Sequence, residues 1–132
     1  MNAPIQEQFE LLYERLKSLH GSGVDSMFKV AGFFLLVTGW VLTSDNAQAL
    51  LVRDPLIRVS ALVTLVFVAV AFAGIAVRLV RESETIFRRL KNLDYMPVEH
   101  YEDLVVRSST VLPFLLLDLI LTLAICVFVL RL

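Results

Sequence analysis

The chain is poor in the residues that mark several large classes of protein. Its 132 residues include a single cysteine, Cys126, which excludes a scaffold held together by disulfides. Charged residues make up only 19% of the chain, against about 25% in ordinary soluble domains. The net charge is −1 at pH 7, so no strong basic field favours nucleic acid as a partner. We therefore expect neither a disulfide scaffold nor a nucleic-acid-binding protein.

Signatures of catalysis and metal binding are also scarce. The sequence contains no glycine-rich phosphate loop and no HExxH motif, and its two histidines, His20 and His100, lie outside any ligand motif. Glu99, His100 and Asp103 offer three donors for a metal, but acidic residues at the start of a helix explain them better. We predict a non-enzymatic protein without catalytic residues, metal or cofactor.

Apolar side chains, by contrast, are abundant. The chain is 58% hydrophobic with a mean hydropathy of +0.76. A helix that crosses a bilayer core of about 30 Å needs about 20 mostly apolar residues. Three segments meet this requirement: residues 27–44, 55–80 and 110–130. The predicted fold class is an all-α integral membrane protein, with three transmembrane helices that form one domain over residues 1–132.

Local signals predict where these helices begin and end. The Gly-Ser-Gly run at 21–23 predicts a break before the first span, with Asp25 as its cap. Asp54 and Pro55 are typical of an N-cap and a first helical position. One or two helical turns are expected in the loop at 45–53. Pro97 predicts the start of a helix that leads towards the third span.

Two segments outside the spans are predicted to be amphipathic. Residues 4–20 carry apolar side chains at 4-3-4-3 spacing and a mainly acidic polar face. Residues 81–107 are expected to form a helical hairpin that extends the second span. We expect these two segments to pack together through their apolar stripes. Contact of the basic residues with anionic lipid head groups is an alternative that is compatible with this packing. The basic face consists of Arg81, Arg88, Arg89 and Lys91.

The distribution of Lys and Arg predicts the orientation in the membrane. Nine of the twelve basic residues lie in the N-terminal segment and the second loop, and three lie in the first loop and at the C-terminus. Because cytoplasmic loops carry the excess of basic residues, we predict a cytoplasmic N-terminus and an external C-terminus in a bacterial inner membrane. A cleaved signal peptide ending at Ala47-Gln48-Ala49 is the alternative for the first span, disfavoured by its long acidic leader.

Asp118 is the most informative single residue, because it lies inside the third span. Carboxylates within membranes are rare, usually face a bundle interior, and often mark ion or proton paths. Thr122 lies one helical turn further on, and Lys29 of the first span is expected at a similar depth. The sequence leaves two interpretations open: an ion or proton site, or a polar contact that holds helices together.

A seam of small residues on the second span predicts close helix packing. In lipid no hydrophobic effect drives helices together, so small side chains favour association by letting backbones approach. The seam comprises Ser60, Thr64, Ala71 and Gly74.

These features lead to two hypotheses for function. The first is a membrane protein that acts through helix–helix association, as a homo-oligomer or as an accessory subunit of a larger complex. The second is an oligomeric ion channel or proton conductor that uses Asp118, because one three-helix chain is too small to enclose a pore. The expected partners are the lipid bilayer and other membrane subunits, which include further copies of this chain.

Overall fold

The computed structural model describes residues 3–132, and this part of the chain is 91% helical with no strand. Three of its helices are long and apolar enough to cross a membrane, as predicted. The helices are α1 (Ala3–Thr43), α2 (Asp45–Arg53), α3 (Pro55–Leu93) and α4 (Ser108–Arg131). Two single-turn 3₁₀ helices, Val98–His100 and Glu102–Leu104, lie between α3 and α4.

The predicted break at residues 21–23 is wrong, because α1 is one helix of 41 residues. A glycine inside a helix costs only about 1 kcal/mol relative to alanine, and packing against a neighbour outweighs this. A Cβ atom added at Gly23 would lie 2.5 Å from Cδ2 of Leu79 on α3, so the residue marks a close approach of two helices. Residues 4–20 and 27–44, which were predicted to form a separate helix and a separate span, therefore belong to one helix.

The predicted cap of α3 is confirmed, and α2 has a cap that the sequence analysis did not predict. Asp54 Oδ1 accepts hydrogen bonds from the backbone N–H groups of Leu56 (2.9 Å) and Ile57 (3.3 Å), and Pro55 is the first residue of α3. The Ser44 hydroxyl accepts from the N–H of Ala47 at 3.3 Å and starts α2. These bonds satisfy N–H groups that have no partner within the first turn.

The segment between α3 and α4 differs from the predicted hairpin of helices. α3 continues beyond the second span, as expected, but it ends at Leu93. The structure does not show a helix that starts at Pro97 and leads into the third span, because only the two 3₁₀ turns follow it and α4 begins at Ser108. Val105, after the second turn, has extended backbone angles. A helix of one turn makes few backbone hydrogen bonds. It extends into a longer helix only where an apolar face packs against a neighbouring element.

The chain divides into two compact units, and each has its own apolar cluster. The first unit (1–27 and 75–112) is built around Phe9, Leu16, Ile86, Leu90 and Tyr101. The second unit (28–74 and 113–132) contains the cluster of Val41, Leu51, Ile125 and Val129.

Helix contacts in the first unit follow a seven-residue repeat. On α1, Phe9, Leu16 and Gly23 are seven residues apart. On α3 the buried residues recur at alternating spacings of three and four. This spacing keeps one stripe of each helix against its neighbour over several turns. The buried residues of α3 in this unit are Ala76, Leu79, Ser83, Ile86 and Leu90.

Candidate functional site

Asp118 and Thr122 lie on the buried face of α4 in the second unit. Each side chain is only 7% exposed, and Ile125 and Val129 continue the same face. The spacing of four, three and four residues places these four side chains on one side of the helix. The chain therefore turns its only carboxylate within α4 towards its own interior.

Two polar atoms of this face have no hydrogen-bond partner within residues 3–132. They are Oδ1 of Asp118 and Oγ1 of Thr122, although the Thr122 hydroxyl lies near enough to the Asp118 carboxyl to interact with it at poorer geometry. The nearby helix α1 supplies a contrast, because the buried hydroxyl of Thr38 donates to the carbonyl oxygen of Phe34 at 2.6 Å. An unsatisfied buried polar group costs about 1–3 kcal/mol, so the Asp118–Thr122 pair is a place where a water molecule, a proton or an ion would be stabilising.

Lys29, the expected partner of Asp118, lies on the exposed surface of α1. α1 and α4 contact each other close to this residue, where the rings of Phe28 and Phe114 meet edge to face with centroids 5.0 Å apart. Cys126, one turn beyond Thr122, is half-buried and makes no disulfide.

The small-residue seam of α3 points away from the rest of its unit. All four of its members are exposed, and a Cβ atom added at Gly74 would meet nothing within 4 Å. Phe72, on another side of α3, is the residue that is buried within the unit. Phe67, which is 71% exposed, stands on the seam between Thr64 and Ala71. The small side chains therefore lie on an exposed face of α3.

An open apolar groove borders this seam between α1 and α3. Its volume is about 490 Å³, and it is an opening in the side of the unit rather than an enclosed cavity. Ser60 and Thr64 of the seam contribute its few polar atoms. The other walls include Phe33, Phe34, Val37 and Ile57.

The acidic and basic faces of the first unit do not pair with each other. Glu7, Glu10 and Glu14 of α1 are exposed, and the four residues of the basic face are exposed as well. Two ion pairs of this unit are local: Arg78–Glu82 within α3 at 2.8 Å and Arg107–Glu102 at 2.6 Å. The two helices are held by apolar contacts, and both charged faces remain available to other molecules.

Sequence reasoning missed the buried polar residue Ser83, which is 0% exposed. Its hydroxyl accepts a hydrogen bond from the backbone N–H of Val106 at 2.8 Å and ties the segment before α4 to α3. The signal was present, because Ser83 occupies a position in the repeat of Leu79 and Ile86. A serine in an apolar register indicates a buried hydrogen bond.

Tyr95 and Tyr101 also have roles that the sequence did not reveal. Both belong to an aromatic cluster around Phe9, whose ring centroid is 5.2 Å from that of Tyr95 and 5.9 Å from that of Tyr101. Tyr101 is 1% exposed, and its hydroxyl has no partner within the described residues. Burial raises the pKa of the Tyr101 phenol above its ordinary value, and the charge of Asp94 raises it further.

No group of three or more His, Cys, Asp or Glu side chains within residues 3–132 is arranged to hold a metal ion. Glu99, His100 and Asp103 belong to the 3₁₀ turns before α4, where all three are exposed.

No protein-family model, no curated protein and no solved structure matches this chain.

Proposed function

We propose that this chain is a small, non-enzymatic integral membrane protein that acts by associating with other transmembrane helices. The associated helices belong either to further copies of the chain or to a membrane complex in which it is an accessory subunit. The bias in Lys and Arg supports an inner-membrane location with a cytoplasmic N-terminus and an external C-terminus.

The outward position of the small-residue seam supports this proposal most directly. Ala71 and Gly74 are exposed, although small residues in membrane helices are typical of close helix contacts. In the second unit, the buried residue of α3 is Phe72, whereas all four seam residues are exposed. Large exposed side chains elsewhere, such as Leu36 (75%) and Leu56 (74%), are suited to contact with lipid tails.

A pair of adjacent residues on α3 provides the test. Ala71 lies on the seam, whereas Val70 is 66% exposed at nearly the same depth and about 100° around the helix. In a Cys126→Ser background, Ala71→Cys and Val70→Cys are each labelled with a cysteine-reactive benzophenone and irradiated in intact membranes. We expect protein adducts from position 71 and lipid adducts from position 70.

The masses of the adducts distinguish a second copy of the chain from a different subunit. Lipid adducts alone from both positions, together with a monomeric particle in mild detergent, would contradict the association of α3 with another helix.

A proton or cation conductor is the second candidate, and the buried carboxyl of Asp118 favours it, because its Oδ1 has no well-formed hydrogen bond within residues 3–132. The inward position of Asp118 weighs against a pore formed between chains, because such a pore is lined by side chains that face outward from each chain. Flux in proteoliposomes that disappears in Asp118→Asn would support conduction. Flux equal to that of empty liposomes at every pH and voltage would exclude it.

The exposed basic face supports anionic lipid head groups as a further partner. Lys and Arg near a membrane surface are each attracted to anionic lipid by about 1 kcal/mol. Replacement of phosphatidylglycerol by phosphatidylcholine in nanodiscs should therefore raise the hydrogen exchange of residues 81–91. Equal exchange in the two lipids would argue against this contact.

A further inference from the structure

The first unit contains a groove whose lining differs from the apolar surfaces of the second unit. Its volume is about 360 Å³, and three aromatic rings contribute to its walls. These rings belong to Phe9 and Tyr13 of α1 and to Tyr95, which follows α3. Gln6, Glu10 and His100 supply the polar atoms of its rim. The function proposed above does not use this groove.

The three rings are arranged around Phe9. The Phe9 ring is almost fully buried, and the rings of Tyr13 and Tyr95 are half-buried on the groove wall. Tyr13 stacks on Phe9 with centroids 6.0 Å apart and an interplanar angle of 14°, whereas Tyr95 is tilted by 45° at 5.2 Å. The rings that line the groove therefore have different orientations.

The backbone turn after α3 brings Tyr95 to this position. Asp94 has φ of 47°, the only positive φ of a non-glycine residue within residues 3–132. This left-handed conformation ends the helix at Leu93 and directs the chain back towards α1. A non-glycine residue in that region costs about 1 kcal/mol or more, and the contacts of Tyr95 with Phe9 offset part of this cost.

The charge on the rim is negative. Glu10 is exposed, and its Oε1 accepts a hydrogen bond from Nε2 of Gln6 at 3.0 Å, which holds the carboxylate beside the rings. Glu10 makes no ion pair within the described part of the chain, and no Lys or Arg lines the groove. A ligand here therefore meets aromatic rings, whose faces carry negative potential, together with one carboxylate and the imidazole of His100.

We propose that this groove binds an organic ammonium group, with the cation against the rings of Tyr13 and Tyr95 and its charge balanced by Glu10. Ammonium groups that carry alkyl substituents combine a positive charge with an apolar surface, and aromatic cages recognise them through cation–π attraction. A hard metal ion fits less well, because Mg²⁺ and Ca²⁺ need several oxygen ligands and the rings supply none. An anion would be repelled by both the rings and the carboxylate.

Tetramethylammonium is the probe for the test. The purified full-length protein in a maltoside detergent is titrated with it, and binding is followed by saturation transfer to the N-methyl protons in NMR. We expect saturable binding of tetramethylammonium and of choline, and we expect 3,3-dimethylbutan-1-ol, the uncharged isostere of choline, to bind at least about tenfold more weakly than choline. Equal binding of the neutral compound, or no saturation transfer from the protein to tetramethylammonium, would overturn the proposal.

Matched variants separate the cation site from general surface binding. Glu10→Gln and Tyr13→Leu should each weaken binding about fivefold, which corresponds to about 1 kcal/mol. Tyr13→Phe keeps the ring and should retain the affinity, and Glu14→Gln removes an exposed carboxylate that is not part of the groove. Binding that is unchanged in Glu10→Gln and Tyr13→Leu would refute the assignment, provided that circular dichroism shows both variants folded.

The source of the ammonium group is resolved by competition. Free choline and the choline head group of phosphatidylcholine offer the same chemistry. If a soluble molecule is the ligand, choline displaces the probe equally from protein in nanodiscs of phosphatidylcholine and of phosphatidylglycerol. If the lipid is the ligand, the probe binds about tenfold more weakly in phosphatidylcholine, because the head groups already fill the groove.

Discussion

Two glycines, two residues apart on α1, should respond in opposite ways to the same substitution. Gly21 faces open space, and a Cβ atom there would meet nothing within 4 Å. Gly21→Ala should stabilise the protein by about 0.5–1 kcal/mol, because alanine loses less backbone entropy than glycine when the helix forms. The same gain in helix propensity is available at Gly23.

At Gly23 the added methyl group collides with Leu79. The new Cβ atom would lie 2.5 Å from Cδ2 and 2.8 Å from Cδ1 of that side chain, whereas carbon atoms pack best at about 3.5–4.0 Å. Leu79 is only 8% exposed, so its methyl groups have little room to move. Overpacking of this kind costs about 1–3 kcal/mol, which cancels or exceeds the gain in propensity. The unfolding free energy of the Gly21→Ala variant should therefore be about 1–3 kcal/mol higher than that of the Gly23→Ala variant.

Reversible unfolding in mixed micelles, followed by far-ultraviolet circular dichroism, measures both variants against the wild type. A double-mutant cycle with Leu79→Ala tests the assigned cause, because removal of the Leu79 methyl groups should make Gly23→Ala favourable. We expect a coupling energy of about 0.5–3 kcal/mol between the two positions. If Gly23→Ala stabilises as much as Gly21→Ala in the wild-type background, the close approach of α1 and α3 is refuted.

Three further predictions concern buried polar groups. Tyr101→Phe should be neutral or should stabilise the protein by up to about 1–3 kcal/mol, because the buried hydroxyl has no partner within the described residues, whereas Tyr101→Ala should lose about 3–5 kcal/mol of packing. Chemical denaturation distinguishes them, and a loss of stability above about 1 kcal/mol in Tyr101→Phe would show that the hydroxyl has a hydrogen-bond partner. The pKa of Tyr101 is raised in the folded chain, whereas tyrosines of the unfolded chain ionise near pH 10, so the unfolded chain releases this proton at lower pH. The unfolding free energy should therefore fall as the pH rises above about 10. The part of the fall that is due to Tyr101 should be absent in Tyr101→Phe. Thr122→Val should be neutral or stabilising in thermal unfolding, because valine replaces at similar volume a hydroxyl that makes no well-formed hydrogen bond within residues 3–132. A loss above about 1 kcal/mol would show that Oγ1 is bonded, either to the nearby Asp118 carboxyl or to water.

Some features of this chain are visible in short stretches of sequence. The three apolar helices are predicted by long runs of apolar side chains, which are stable only in lipid or in a protein core. The start of α3 follows from Asp54 and Pro55, because a side-chain cap and a fixed φ act on the next three or four residues alone. These are local interactions, and a local sequence pattern is sufficient to predict them.

Other features depend on residues that are distant along the chain. Gly21 and Gly23 look the same in sequence, but only Gly23 lies against Leu79. Pro97 looks like a helix start, but the segment after it makes short turns, and the Ser83 hydroxyl binds the N–H of Val106 at its far end. Tyr95 reaches Phe9 only because Asp94 turns the chain at the end of α3.

The sequence by itself determined that the chain has three helices apolar enough to cross a membrane, that Asp54 caps the start of α3, and that α4 contains a carboxylate. Tertiary structure decided the direction in which each side chain points. It turned Asp118 inward and the small seam of α3 outward, and it joined α1 into one helix across two glycines. The physical reason is that hydropathy and capping act over a few neighbouring residues, whereas burial is decided by which helix lies alongside.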